Sequence, residues 1–257
     1  AIADAAKEMG YHNAISNASD IYSANSFQPP MTIGTVQASP LTMANVYATM
    51  GANGVECTPI AITKVTDRSG SKVKVPSANC YQAIDPDIAQ TVSYALNQGV
   101  VQPGGEASTT QLDNNRKTFA KTGTNENTVM ATAGFVPNQV AAFVAVADAQ
   151  DPINNTFDNK TINGVYRPSW YGMYIATPAW KQFMNTYLAA INAPIDNDYG
   201  KGADKYTVSK GATRTYNQYQ YQRQQNSQQQ SQQQTNQGQQ QQSQQQPAEQ
   251  QSDQQHQ

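Results

Sequence analysis

Residues 117–147 have the sequence KTFAKTGTNENTVMATAGFVPNQVAAFVAVA, and this segment sets the fold of the 257-residue chain. Three runs within it have the composition of β-strands, Lys117–Thr124, Met130–Val136 and Val140–Ala147. Because only short turns separate these runs, we expect them to pair as neighbouring antiparallel strands of one sheet.

Three helices are predicted around this sheet from their capping residues and apolar spacing. Ser39 can cap a helix that has Pro40 at its first position. A second helix opens at Asp85 and is expected to end at Gly99. The third begins at Thr177, and its apolar residues are expected to form core contacts with the sheet: Trp180, Phe183, Met184, Tyr187, Leu188 and Ile191. The predicted fold class is α/β (α+β), an antiparallel sheet flanked by helices.

The candidate site is Lys121-Thr122-Gly123-Thr124 on the first predicted strand. The ammonium of Lys121 and the hydroxyls of Thr122 and Thr124 can hold a substrate carboxylate. Gly123 lets a substrate backbone lie close along the strand. The amide of Thr124 can donate to a developing oxyanion. The alternative is that Lys121 is an ordinary solvated strand lysine.

Four segments in order resemble the C-terminal part of the transpeptidase domain of class A penicillin-binding proteins. Residues 35–54 resemble the helix after the family's second active-site motif, and Lys121–Gly123 resembles its third motif, Lys-Thr-Gly. Ala133–Pro137 is similar to its Phe-x-Gly-Tyr-x-Pro strand, and Thr177–Met184 to its closing helix. The resemblance covers residues 1–193 and implies a penicillin-binding/β-lactamase-like fold.

This resemblance implies a serine-type D,D-transpeptidase that crosslinks peptidoglycan stem peptides by acyl transfer at D-Ala-D-Ala. It also implies that β-lactam antibiotics bind, that no cofactor is needed and that the protein lies at the extracytoplasmic face of the bacterial membrane, in the cell envelope. Lys121 and Thr124 would be catalytic. Lys121, Thr122, Gly123 and Thr124 would bind the substrate.

The family's other two motifs, Ser-x-x-Lys with the nucleophile and Ser-x-Asn, have no convincing match. The helix pattern at Ala1–Gly10 is present from the first residue. In the family this helix carries Ser-x-Asn at its start. We therefore expect a fragment truncated upstream of Ser-x-Asn, incomplete at the N-terminus, and inactive by itself because the nucleophile is missing.

Short matches to the two missing motifs occur in other settings: Ser69–Lys72, Ser71–Lys74, Ser23–Asn25 and Ser77–Asn79. The first two fall in a polar turn between the strand patterns Ile60–Val65 and Lys72–Val75. Because a turn serine in water has no desolvated lysine to activate it, we predict that these matches are not catalytic.

Two other classes of function stay open. The domain could be a catalytically inactive penicillin-binding-like scaffold or a β-lactam sensor at the cell envelope. It could also present the Gln-rich end of the chain as an adhesive segment. An intact Ser-x-x-Lys upstream of Ala1 would favour the enzyme, and a substituted serine would favour the scaffold.

Composition divides the chain into residues 1–193 as the domain portion, 194–221 as a linker and 222–257 as a tail rich in Gln. The tail has almost no apolar residue to bury, so we expect it to be disordered. A net charge of -2 with dispersed basic residues gives no support for a nucleic-acid partner. Because no apolar run reaches membrane-spanning length, attachment to a membrane would require an N-terminal anchor absent from this chain.

The chain has two cysteines, Cys57 and Cys80, which bracket a predicted hairpin at Thr58–Asn79. A disulfide between them would suit an exported protein. Two reduced cysteines that pack as small apolar groups are the alternative. No metal site is expected, because His12 and His256 are the only histidines and neither has the spacing of a metal ligand.

Overall fold

A three-stranded antiparallel sheet with helices on both faces forms the centre of the computed structural model, which describes residues 2–11, 33–34, 36, 38–152 and 154–202. The helices are α1 (Ile2–Glu8), α2 (Pro40–Gly51), α3 (Pro86–Val101) and α4 (Ala176–Ala190), with a 3₁₀ turn at Ser108–Thr110. The strands are β1 (Val55–Glu56), β2 (Val65–Thr66), β3 (Lys72–Val73), β4 (Tyr81–Gln82), β5 (Phe119–Asn125), β6 (Val129–Val136), β7 (Val140–Ala147), β8 (Lys160–Ile162) and β9 (Val165–Arg167).

The three predicted strands of residues 117–147 form this sheet in the order β5-β6-β7, so β6 is central. Lys121 pairs with Ala133 across β5 and β6, and Val136 pairs with Val140 where β6 turns into β7. The turn places Asn138 at a φ of 56°, a conformation that Asn tolerates better than most residues. The predicted α/β class, an antiparallel sheet flanked by helices, is confirmed.

The two faces of the sheet carry different helices, because side chains alternate between faces along each strand. Phe119 and Phe135 stack with ring centroids 5.0 Å apart on the face covered by α2 and α3. Trp180 of α4 packs against the opposite face and donates from Nε1 to the carbonyl oxygen of Ala142 at 3.0 Å. Gly134 lies beneath that ring, where a Cβ would come within 2.5 Å of Trp180 Cζ2.

Local capping signals set where α2 and α3 begin. Thr42 N donates to Ser39 Oγ at 3.1 Å ahead of Pro40, and Asp85 caps α3 through the amide of Asp87 at 2.8 Å. The predicted end of α3 at Gly99 is wrong, since the helix continues to Val101. Gly99 keeps a helical conformation, and Pro103 follows the end of the helix.

The predicted apolar stripe of α4 is only half in the core. Trp180, Met184 and Leu188 are buried, at i, i+4 and i+8. The other three residues of the stripe are exposed: Phe183, Tyr187 and Ile191. A three-stranded sheet contacts only one narrow side of the helix, so Phe183 and Tyr187 stack on each other at the surface instead.

Cys57 and Cys80 form a disulfide at the base of the predicted hairpin, with their Cα atoms 4.1 Å apart. β1 and β4 pair beside the disulfide, and β2 and β3 pair in the projecting part of the hairpin. The residues of β2 and β3 are all exposed. None of the helices in the described ranges is both long and apolar enough to cross a bilayer.

Residues 194–200, which the composition assigns to a linker, lie against the domain. Tyr199 is buried and its ring meets Phe119 and Phe135 edge-on. The guanidinium of Arg116 donates to the carbonyl oxygens of Pro194 and Ala193, the latter at 2.9 Å. The predicted start of the linker therefore falls inside a packed segment, because one aromatic anchor outweighs the polar composition around it.

Several predictions fall outside the described residues. These are the Ser23–Asn25 match, His12, His256, residues 203–221 of the predicted linker and the tail at 222–257.

Candidate active site

Lys121 lies on β5 and its side chain is 57% exposed. Its Nζ donates to the carbonyl oxygen of Thr122 at 2.7 Å and lies 3.6 Å from Glu106 Oε2. Glu106 is itself 80% exposed, so this ion pair contributes little to stability. The ammonium is therefore held loosely and can exchange Glu106 for the carboxylate of a ligand.

β5 has a free edge on the side away from β6, where no strand pairs with it among the described residues. The Lys121 ammonium lies at this edge. A Cβ at Gly172 would collide with both Gly123 O and Ala131 O. These two oxygens are therefore close together, which requires that paired residues Gly123 and Ala131 hydrogen-bond to each other across the strands. Adjacent residues then present their backbone groups to the opposite side, so the amides of Thr122 and Thr124 point to the free edge.

The threonine hydroxyls do not share a face with the Lys121 side chain. Residues of a strand alternate, so Thr122 and Thr124 lie on the face covered by α4, and Lys121 lies on the face of α2 and α3. Thr122 is 8% exposed and pairs with Thr132 of β6. Thr124 is exposed at the end of β5. The side chains of Lys121 and the two threonines therefore lie on two different faces, and what the four predicted residues share is the free edge of β5.

Gly172 holds the Thr124 side chain in place. Its amide donates to Thr124 Oγ1 at 3.1 Å, and its carbonyl oxygen accepts from Thr177 N at 2.9 Å, at the start of α4. Because the hydroxyl of Thr124 accepts this bond, its own hydrogen stays available for a ligand oxygen. Only a glycine fits here, since any side chain would meet the backbone of β5 and β6.

Gly123 has open space above it. A Cβ at this position would make only ordinary contacts, 3.5 Å from Ala131 Cβ, so packing within the domain does not require a glycine. A role in the close approach of an extended ligand would account for the glycine better than internal packing does.

Sequence reasoning missed Gly172 and Glu106 as parts of this site. Gly172 stands in the run Trp170-Tyr171-Gly172-Met173-Tyr174, and a glycine among bulky residues just ahead of a helix is a signal of close backbone approach. No comparable signal marks Glu106, whose position beside Lys121 depends on how the chain returns after α3.

The turn that contains Ser69 and Ser71 is exposed. Asp67 Oδ1 accepts from Ser69 Oγ at 2.6 Å and from Ser71 N at 2.9 Å. Lys72 follows on β3 and is exposed as well. In the part of the chain that the structure describes, no group of three or more His, Cys, Asp or Glu side chains is placed to hold a metal ion.

The sequence of residues 2–184 matches the family described as the penicillin binding protein transpeptidase domain. Penicillin-binding protein 1A of Neisseria gonorrhoeae is 30% identical over 167 residues, which cover 62% of this chain and 19% of that protein. Penicillin-binding protein 1A of Clostridium botulinum (strain Langeland) is 29% identical over 196 residues, 70% of this chain and 22% of that protein. The chain thus spans about a fifth of the length of these curated relatives.

Solved structures are similar in fold. The PonA1 protein from Mycobacterium tuberculosis, solved in complex with penicillin V, superposes with a TM-score of 0.64 at 21% identity and covers 79% of this chain and 52% of that chain. Penicillin-binding protein 1A from Haemophilus influenzae has a TM-score of 0.56 at 20% identity, covering 74% of this chain and 31% of that chain.

Proposed function

This chain belongs to the penicillin-binding protein transpeptidase domain family, and on that premise we propose that it supplies the substrate-binding strand of a serine-type D,D-transpeptidase. The substrate class is the D-Ala-D-Ala end of peptidoglycan stem peptides. β-Lactam antibiotics would occupy the same site. The position of the Lys121 ammonium and the Thr124 amide on the same free edge of β5 is the observation that carries this proposal.

An extended peptide can lie along that edge as an added strand. Its terminal carboxylate would pair with the Lys121 ammonium in place of Glu106 and accept from the Thr124 hydroxyl. The Thr124 amide would donate to the oxyanion that forms when a serine attacks the scissile carbonyl. The serine bonds to the carbonyl carbon, D-Ala leaves with the proton, and an amine of a second stem peptide then displaces the serine.

We further propose that residues 1–257 alone form no acyl-enzyme. Ser69 and Ser71 lie in an exposed turn in which Asp67 is the hydrogen-bond partner, and no desolvated lysine is available to take a proton there. The parent protein would carry the nucleophile and act at the extracytoplasmic face of the cell membrane. For the domain division, we propose a folded portion that extends through residue 200 in place of an end at 193, followed by the linker and tail.

The test uses the longest natural protein that contains this chain, acylated by a fluorescent penicillin. Lys121→Ala is expected to lower the acylation rate more than tenfold, about 1.4 kcal/mol of transition-state stabilisation. Its thermal stability should hardly change, because the ion pair with Glu106 is exposed. Lys72→Ala, on the exposed hairpin, is the matched control and should acylate at the wild-type rate.

Unchanged acylation in Lys121→Ala would overturn the assignment of the site. If the wild-type natural protein itself is not acylated, the inactive scaffold is favoured. Intact-mass spectrometry of residues 1–257 with penicillin tests the second proposal. A stoichiometric adduct at Ser69 or Ser71 would contradict it.

A further inference from the structure

A groove of about 310 Å³ lies between the β8–β9 hairpin and the start of α4. Its walls are mostly apolar, with Ile162 and Val165 from the hairpin and Ile175 and Pro178 from the start of α4. Arg167 is the one charged residue of its lining. The groove therefore combines apolar walls with a single positive charge.

Two aromatic rings hold the Arg167 guanidinium in place. Its Cζ lies 3.8 Å from the ring centroid of Tyr174 and 5.2 Å from that of Trp170. The two rings are nearly perpendicular, at 83°, so they form a corner around the cation. Trp170 is fixed in turn by a bond from its Nε1 to Lys160 O at 3.0 Å. This cation is positioned before any ligand arrives, which lowers the entropy lost on binding.

The charge of Arg167 has no counter-ion in the described part of the chain. No carboxylate there lies within ion-pair distance of its guanidinium, and its Nε is buried without a hydrogen-bond acceptor. Buried donors in folded proteins are nearly always paired. The Nε donor itself is closed off from the groove, but the uncompensated charge of a fixed cation that lines an open groove points to an anionic ligand.

The groove adjoins the candidate active site through the turn that holds Thr124. Trp170 and Tyr174 each lie two residues from Gly172, whose amide donates to Thr124 Oγ1. Tyr171 and Tyr174 pack at 6.1 Å between ring centroids on this turn, and both are exposed. The turn at Gly172 therefore connects the groove directly to Thr124 on β5.

We propose that the Arg167 groove is a binding site for a carboxylate carried on an aliphatic stem, as at the end of a short peptide. The two terminal Nη groups of the guanidinium would donate to the carboxylate, and the aliphatic part would cover Ile162, Ile175 and Pro178. This site goes beyond the proposed acyl transfer, because it requires neither a serine nor a β-lactam.

The test is a titration of the full chain, labelled with ¹⁵N, with N-acetyl-L-leucine. The chain has two tryptophans. Trp170 lines the groove and Trp180 lies in the core, so the indole N–H signal of Trp170 reports binding and that of Trp180 reports the fold. We expect a saturable shift of the Trp170 signal only. N-acetyl-L-leucinamide has nearly the same shape without the charge and should bind at least tenfold more weakly.

Arg167→Gln should abolish the saturable shift, and Arg68→Gln, which removes the same charge from the exposed hairpin, should leave it unchanged. If Arg167→Gln also shifts the Trp180 signal, that substitution disturbs the fold, and Arg167→Lys is titrated in its place. That variant keeps the charge but loses the planar fork, so at least threefold weaker binding is expected.

Three outcomes would overturn the proposal. These are equal binding of the acid and its amide, wild-type binding by the Arg167 variants, and inorganic phosphate binding as tightly as N-acetyl-L-leucine. The last would mean that the apolar walls contribute nothing. Penicillin acylation of the natural protein is measured separately, so a failure of the acyl-transfer proposal leaves this titration interpretable.

Discussion

Replacing Tyr199 with alanine is expected to lower the free energy of unfolding by about 3–5 kcal/mol, the usual range for removing a buried aromatic ring. Tyr199 is 7% exposed, and its ring centroid lies 5.7 Å from that of Phe119, two residues before Lys121. Its hydroxyl accepts from Asn53 N at 3.1 Å and donates to Met50 O. Tyr199→Phe keeps the ring and loses only these bonds, so about 1–2 kcal/mol is expected.

Thermal and urea unfolding of the chain, followed by near-UV circular dichroism, measure these losses. For a folded unit of this size the alanine variant should melt about 10 °C below the wild type. Ile195→Ala is the matched control, because Ile195 lies in the same segment and is 50% exposed, and it should cost no more than about 0.5 kcal/mol. Equal stabilities for Tyr199→Ala and Ile195→Ala would refute the packing of residues 194–200 on the domain.

Deletion of residues 222–257 should leave the melting temperature within about a degree, because a segment almost without apolar residues buries little; a loss of several degrees would contradict this. Burial raises the pKa of the Tyr47 hydroxyl to about 12 from 10.0. At a pH between these two pKa values, Tyr47 keeps its proton in the folded chain and has lost it in the unfolded chain. The free energy of unfolding is therefore unaffected by this group below pH 10 and falls as the pH rises above it. By about pH 11 the wild type should lose about 1.4 kcal/mol more than Tyr47→Phe, measured by urea unfolding at about pH 9 and 11. Equal losses of unfolding free energy in the wild type and in Tyr47→Phe would show that burial does not raise the pKa of Tyr47.

The strands and helix starts could be predicted from the sequence because their signals are local. The segment 117–147 gave β5, β6 and β7 nearly at their observed bounds, since strand composition and short turns are encoded within a few residues. Ser39 and Asp85 marked the starts of α2 and α3 for the same reason, because a capping side chain bonds an amide two or three residues away. The motif at Lys121–Thr124 could be found by residue type alone.

The arrangement of the site depended on contacts between distant parts of the chain. Gly172 reaches Thr124 across 48 residues, and Tyr199 reaches Asn53 across 146. Neither contact leaves a periodic pattern, because each depends on where α4 and the segment after it pack once the sheet has formed. The predicted linker start at 194 missed Tyr199 for this reason, since composition averages over residues and a single buried ring outweighs that average.

Residue identity set the chemistry available on β5, namely an ammonium, two hydroxyls and a glycine in series. Which backbone groups point to the free edge depends on pairing: once Gly123 bonds to Ala131, the amide of Thr124 must point away from β6. The helices on either side then bury Thr122 and leave Lys121 exposed. A sequence lists the groups on a strand, but their directions follow from which strand pairs on which side, and that is a property of the packed sheet.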